Sequence, residues 1–333
     1  MHTRNLVVLL PFLSSHVSAH TFIWGVFVNG VDQGSFKGIR TPPYNGPPGG
    51  GGYNNSPVKN LTSIDIRCNV MGDIQAPDTI VVRPGDNFTF DWHHDKRSTN
   101  DDVIASSHHG PSLVYISPDP PTENSFVKIW HEGLYEESVF PNPGKWSTTQ
   151  NIAANGGSMN VRIPPGLKSG HYLIRAEMIA LHEGEVSYLN VPARGAQFYP
   201  NCVQIEVVDG GDVELPQGVS FPGAYDYDTP GIVYDVYCST ETPKTPRATP
   251  CTTRYPIPGP TVWTGAWADT TSVPRGPIEG PTTHTSWSTW IRTSTVTSAS
   301  YTDKKSISVV GTSVYTPSWS TTYQTPVAAT GRW

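Results

Sequence analysis

Apolar residues in this chain come in short runs broken by Gly, Pro and Asn, and almost nowhere at the spacing of an amphipathic helix. "TFIWGVFVNGVDQG" runs apolar as far as Asn29-Gly30, a dipeptide that tolerates positive φ, and so predicts two strands joined by a tight hairpin. "TIVVRPGDNFTFDW" predicts two strands around Pro84-Gly85-Asp86; "SLVYIS", "SMNVRI", "HYLIRAEMIAL" and "AQFYPNCVQIEVV" follow at loop-separated intervals. Alternation in "HYLIRAEMIAL" is imperfect, which predicts a strand buried on both faces. So many β-branched and aromatic runs argue for an all-β, antiparallel sandwich that occupies residues 20–262 as one domain.

Two stretches do not fit strands. "RTPPYNGPPGGGGYNNSPVKN" and "TPGIVYDVYCSTETPKTPRATPCTTRYPIPGP" are long Gly- or Pro-rich loops, and loops of that length tend to be functional surfaces. The two ends also differ from the middle. Residues 1–19 combine Arg4, the apolar core "LVVLLPFL" and the small-residue ending Val17-Ser18-Ala19, the layout of a secretory signal peptide. That core is far shorter than the roughly 20 residues a membrane span needs. Residues 263–333 are dominated by Ser, Thr and Pro, which predicts a disordered, O-glycosylated tail. No cysteine follows Cys251, so the tail holds no disulfide-stapled carbohydrate-binding module. Six of the ten tryptophans (Trp263, Trp267, Trp287, Trp290, Trp319 and Trp333) nevertheless fall there. They are either contacts for a flat polymer, tolerated passengers or, at Trp287-Ser288-Thr289-Trp290, a C-glycosylation signal.

Composition narrows the function. Losing residues 1–19 removes one cation and no acid from a chain of formal charge −6, and a mildly acidic secreted protein is a poor partner for nucleic acid or anionic membranes. In an oxidising compartment the four cysteines read as disulfides rather than metal ligands. Of three possible connectivities, the expected one joins Cys68 to Cys202 across distant strands and closes a local loop with Cys238 and Cys251. Asn54, Asn60 and Asn87 head glycosylation sequons, the first weakened by Pro57.

A hydrolase site is hard to find. There is no G-x-S-x-G elbow and no H-E-x-x-H helix. The acid pairs Glu136-Glu137 and Glu183 with Glu185 suit solvated decoration better than two carboxylates flanking a glycosidic bond. Histidines are the better lead, at His20, His93, His94, His108, His109, His131, His171, His182 and His284. Any one of them is by itself more often structural than a ligand, but position changes the odds for His20. Cleavage after Ala19 would give it a free amine, and amine plus Nδ1 chelate a metal in a small ring that no internal histidine can form. One more imidazole, His108 or His109 of "SSHHGPSLVYIS", would complete three nitrogens, a set that suits copper.

These residues carry a resemblance. "HTFIWGVFVNGVDQG", "ASSHHGPSLVYIS", "GHYLIRAEMIALH", "GAQFYPNC", "VSFPGAYDYDTPGI" and "YPIPGP", in that order, resemble the lytic polysaccharide monooxygenases of auxiliary activity family 9, formerly glycoside hydrolase family 61. The resemblance implies an immunoglobulin/fibronectin-like sandwich whose long loops form a flat substrate face. It implies one copper held by His20 and His108 as a histidine brace, with Tyr199 axial and His182 and Gln197 as the residues that handle protons beside it. Tyr225, and Tyr44 or Tyr53 of the early loop, would stack on sugar rings; Tyr227 is the weaker candidate. His93, His94, His131 and His171 match no ligand position and read as structural or surface residues. The implied protein is a secreted monomer that takes electrons from an external reductant or redox partner. With O2 or H2O2 it would oxidise C1 or C4 of cellulose or a related β-1,4-glucan, hemicellulose being equally compatible. Two rivals stay open: a non-catalytic carbohydrate-binding protein, which has no use for an amino-terminal histidine, and a true glycosidase, which needs no reductant.

Overall fold

The computed structural model describes residues 20–40, 55–139, 141–238, 254–268 and 274–278. The chain divides after Thr282, and everything below belongs to the first unit. Its strands are β1 (Phe22–Val28), β2 (Val31–Ser35), β3 (Ile80–Val82), β4 (Asn87–His93), β5 (Ser112–Pro118), β6 (Val127–Glu132), β7 (Leu134–Glu136), β8 (Lys145–Trp146), β9 (Ser158–Arg162), β10 (Gly170–Ala180) and β11 (Gln197–Val207). One short helix, α1 (Asp65–Cys68), and a π-helical segment, Ser147–Ala153, complete the described elements.

Two sheets stack as a sandwich, ordered β2-β1-β4-β9 and β3-β11-β10-β5-β6, with β7-β8 as a small ribbon. All pairs are antiparallel except β3 with β11, which run parallel. Asn29 and Gly30 adopt φ of 51° and 82°, the positive values a tight hairpin between β1 and β2 requires. The strands on either side of Pro84-Gly85-Asp86 do not pair with each other. The turn carries the chain from one sheet to the other, closed by the Arg83 amide donating to Asp86 Oδ2 at 2.7 Å.

Inward side chains of both sheets meet in one core that includes Ile23, Phe88, Phe90, Trp92, Val114, Ile174, Met178 and Val203. The other face of the five-stranded sheet is also covered: Leu113, Tyr115, Leu173 and Phe198 pack under loop residues Leu61, Phe221, Ile232 and Tyr255. β10 is therefore buried on both sides, which accounts for its broken alternation. Under that cover the buried Arg175 and Glu177 pair at 2.6 Å, and Arg175 also donates to the carbonyls of Ile66 and Arg67. The Cys68–Cys202 disulfide ties α1 to β11. Cys238 is also disulfide-bonded; its expected partner, Cys251, lies outside the described residues.

The structured body does not stop at residue 262. The Trp263 amide donates to Lys128 O at 2.8 Å, and the Trp267 indole donates to Ile163 O at 3.0 Å while Arg162 stacks 3.7 Å from its ring. Farther along, Arg275 pairs with the buried Asp91 and donates to Gly156 O, and the Gly276 amide donates to Gly30 O. Trp263 and Trp267 thus belong to a strap on the sandwich, not to a tail; residues 279–333 lie outside the described set. Among the described residues no helix is long and apolar enough to cross a membrane.

Candidate active site

Four chain segments meet at one end of the sandwich. His20 precedes β1, His108 precedes β5, His182 follows β10, and Gln197 and Tyr199 open β11. The long β10–β11 ladder sets Ala180 opposite Gln197 and Met178 opposite Tyr199, which brings the β10 end to the start of β11. β1 belongs to the other sheet and is tied across by the Ile23 amide donating to Asn201 Oδ1 at 3.1 Å. The His108-His109-Gly110-Pro111 turn is held by Thr148 Oγ1 donating to His108 O at 2.7 Å and by the Leu181 amide donating to His109 O at 2.8 Å. Gly110 has no room for a side chain, since a Cβ there would lie 1.8 Å from Ile179 O.

The imidazoles converge on Tyr199. The His20 and His108 rings lie 6.2 and 6.1 Å from the Tyr199 ring, centre to centre, and the His182 ring lies 4.2 Å from His108. Burial pushes the His20 and His108 pKa values down, His108 to about 3, and the neighbouring His94 and His182 push the same way. Both imidazoles are therefore neutral at physiological pH, the state in which a nitrogen has a lone pair to give. Ser107 Oγ sits 3.3 Å from His108 Nδ1, which leaves Nε2 for another partner.

Behind the rings runs a hydrogen-bonded chain. Burial raises the Tyr199 phenol well above its ordinary pKa, and it donates to Gln197 Oε1 at 2.7 Å. Gln197 Nε2 then faces Glu183 Oε2 at 3.2 Å and His182 Nε2 at 3.4 Å. The other ring nitrogen of His182 is buried without a partner. Its pKa is lowered by burial against the opposing pull of Glu183. Glu183 and Lys59, 3.7 Å apart, are also members of this network; the sequence gives no sign of Lys59, and Glu183, which its spacing from Glu185 suggests is solvated decoration, instead meets Gln197. The signal for Glu183 was its place directly after His182.

Among the described residues no three His, Cys, Asp or Glu side chains close around a metal. Beside His20 and His108, the amine of a processed His20 would supply a third nitrogen and the Tyr199 phenol an oxygen. The donor set therefore fits copper: neutral imidazoles, an amine, and a buried neutral phenol.

Residues 20–245 match the family model described as "Auxiliary Activity family 9 (formerly GH61)". The chain belongs to auxiliary activity family 9. It is 42% identical over 256 residues to AA9 family lytic polysaccharide monooxygenase A of Aspergillus fumigatus, covering 75% of this chain and 63% of the relative. With the protein of the same name from Phanerochaete carnosa it shares 40% identity over 268 residues, 80% of this chain and 89% of the relative. Among solved structures it is similar to CvAA9A, with a TM-score of 0.60, 35% identity and coverage of 74% of this chain and 99% of that one. The extended catalytic domain of H. jecorina LPMO9A gives 0.58 at 25% identity, covering 79% and 98%. The family model ends at residue 245, before Trp263 and Trp267.

The remaining expected site residues fall in different places. Tyr225 is not on the surface: it is 4% exposed, donates to Glu177 Oε1 at 2.6 Å and lies 2.9 Å from the Tyr115 hydroxyl. The correction has a plain cause, since the loop turns this ring down onto the five-stranded sheet, where the buried carboxylate needs a donor. Tyr227 is half-buried and stacks with Tyr188 at 6.2 Å. Tyr44, Tyr53 and Asn54 lie outside the described residues. Asn60 is exposed and Asn87 half-buried at the start of β4. His93 is buried against Asp91 at 3.0 Å, His171 is exposed, and His94 is a neighbour of His20.

Proposed function

We propose that the processed protein is a secreted, copper-dependent polysaccharide monooxygenase that oxidises cellulose or a related β-1,4-glucan at C1 or C4. The reading is carried by one observation: His20, the residue that follows the expected cleavage point, lies with His108 against Tyr199. Copper held by the His20 amine and Nδ1 and by His108 would supply one-electron redox chemistry and the activation of O2 or H2O2, with electrons from an external reductant.

The chain's own residues do the rest. Burial keeps the two imidazoles unprotonated, so metal does not compete with protons for them. Tyr199 closes the site from below as a neutral phenol, its proton committed to Gln197. Gln197 has a fixed orientation, with Oε1 toward the phenol and Nε2 toward Glu183, so it holds His182 in place. His182, with Glu183 beside it to balance charge, is placed to pass a proton to or from the mouth of the site.

The test uses the chain secreted and processed from its own signal peptide. Amino-terminal sequencing should begin at His20, titration should give one tight copper per chain, and mass spectrometry should show oxidised oligosaccharides only with ascorbate present. A processed His20→Ala protein should lose both copper binding and product. Reducing-sugar release without reductant would instead indicate a glycosidase, and oxidised product from His20→Ala would remove the assignment.

A further inference from the structure

His94 was expected to be a bystander, yet its surroundings are those of a supporting residue. It stands immediately after β4, and the β1–β4 register pairs Phe22 with His93. His20 stands two residues before Phe22 and His94 one residue after His93, at the same end of this pair, and the His94 ring acts electrostatically on His20. The residue is 6% exposed. Its amide donates to Asp101 Oδ2 at 2.9 Å, and its carbonyl accepts from Asn55 Nδ2 at 3.0 Å, so the backbone is fixed on both sides.

The ring is fixed as well. Nδ1 lies 3.0 Å from Asp102 Oδ1, and a carboxylate at Nδ1 makes that nitrogen the donor and leaves Nε2 with the lone pair. Nε2 is buried and has no hydrogen-bond partner; Asp95 Oδ1, at 3.7 Å, is beyond hydrogen-bond reach. A buried acceptor is costly to leave without a donor. His94 also lowers the pKa of both His20 and His108, which places it within the field of the two imidazoles.

We propose that Nε2 of His94 accepts a hydrogen bond from the α-amine that processing creates on His20, and so orients that amine for the metal. The inference rests on the copper reading given above. Before cleavage the nitrogen of His20 is an amide with no lone pair to donate. After cleavage the neutral amine has a lone pair and two N–H bonds; one N–H engaged by His94 fixes where the lone pair points. Such support raises the basicity of a ligand and its affinity for metal, and His94 is in this sense a positioning residue.

The test compares processed wild type with His94→Leu, His94→Gln and Asp102→Asn, using Cu(II) titration calorimetry against a competing chelator and the Cu(II) electron paramagnetic resonance spectrum. Apo-protein melting curves report folding. His94→Leu should bind copper about tenfold more weakly with altered hyperfine splitting. His94→Gln, whose amide oxygen can take the place of Nε2, should retain most of the affinity. Asp102→Asn should weaken binding and shift the spectrum, and it carries the test if His94→Leu does not fold. Wild-type affinity and spectrum in His94→Leu, or in Asp102→Asn where that variant carries the test, would overturn the proposal. A loss in His94→Gln equal to that in His94→Leu would overturn it too, because packing would then explain both. Failure of the wild type itself to bind copper would instead bring down the copper reading.

Discussion

At the scale of single residues, environment separates histidines that the sequence shows as equals. His108 is neutral because it is buried among other imidazoles, whereas His131 owes a pKa lowered to about 4 first to burial and then to the adjacent Lys128, whose own pKa burial lowers to about 8. The sign of the consequence follows from linkage. As pH falls from about 6.5, the unfolded chain takes up a proton at residue 131 that the folded chain refuses, so stability drains away until about pH 4. Thermal melts of the apo-protein should show that loss, and His131→Gln should make it shallower between pH 6.5 and about 4 while the other buried histidines keep their share. Tyr225 teaches the complementary lesson. Its motif suggested a surface ring, but nothing in the motif says that Glu177 lies beneath it; that is a long-range fact of the fold. Tyr225→Phe should therefore cost about 1–2 kcal/mol of stability by leaving a buried carboxylate short of a donor. Its adsorption to cellulose should stay at the wild-type level.

At the scale of elements, the strands that carry the site were the legible ones. β10 and β11 announce themselves by length and apolar content, and β1 by its hairpin turn. β6 was not read, since "VKIWHE" mixes charge with apolar residues and its Lys128 is buried only because a later segment supplies the Pro258 carbonyl at 2.7 Å. The π-helical segment was equally silent; Thr148 matters through one hydrogen bond to His108 O, and no local pattern encodes it. Gly110 shows how tightly these elements are fitted. Gly110→Ala would set a methyl group against the Ile179 carbonyl, so a destabilisation of about 3 kcal/mol, the upper end for overpacking, is expected, together with weaker copper binding as His108 shifts. Denaturant unfolding with and without copper checks both.

At the scale of the whole molecule, the sandwich, its cysteine staple and the gathering of His20, His108, His182, Gln197 and Tyr199 followed from ordered sequence blocks, but the place where the body ends did not. A Ser/Thr/Pro-rich composition argues against a core of its own, and it is blind to a strap that borrows one through Trp263, Trp267 and Arg275. A chain ending at Val262 should melt roughly 5–10 °C below one ending at Thr282. The same molecule distributes its stability unevenly around the site. His182, Gln197 and Tyr199 adjoin or lie on strands at the middle of a sheet, while His20 precedes β1 and, in a chain cut after Ala19, would stand at a chain end, where fraying concentrates. A ligand that binds only the docked terminus must hold it there, so copper should act as a stitch. Amide hydrogen exchange at Phe22 and Ile23 should slow when copper is added, while exchange along β10 and β11, already slow, should hardly change.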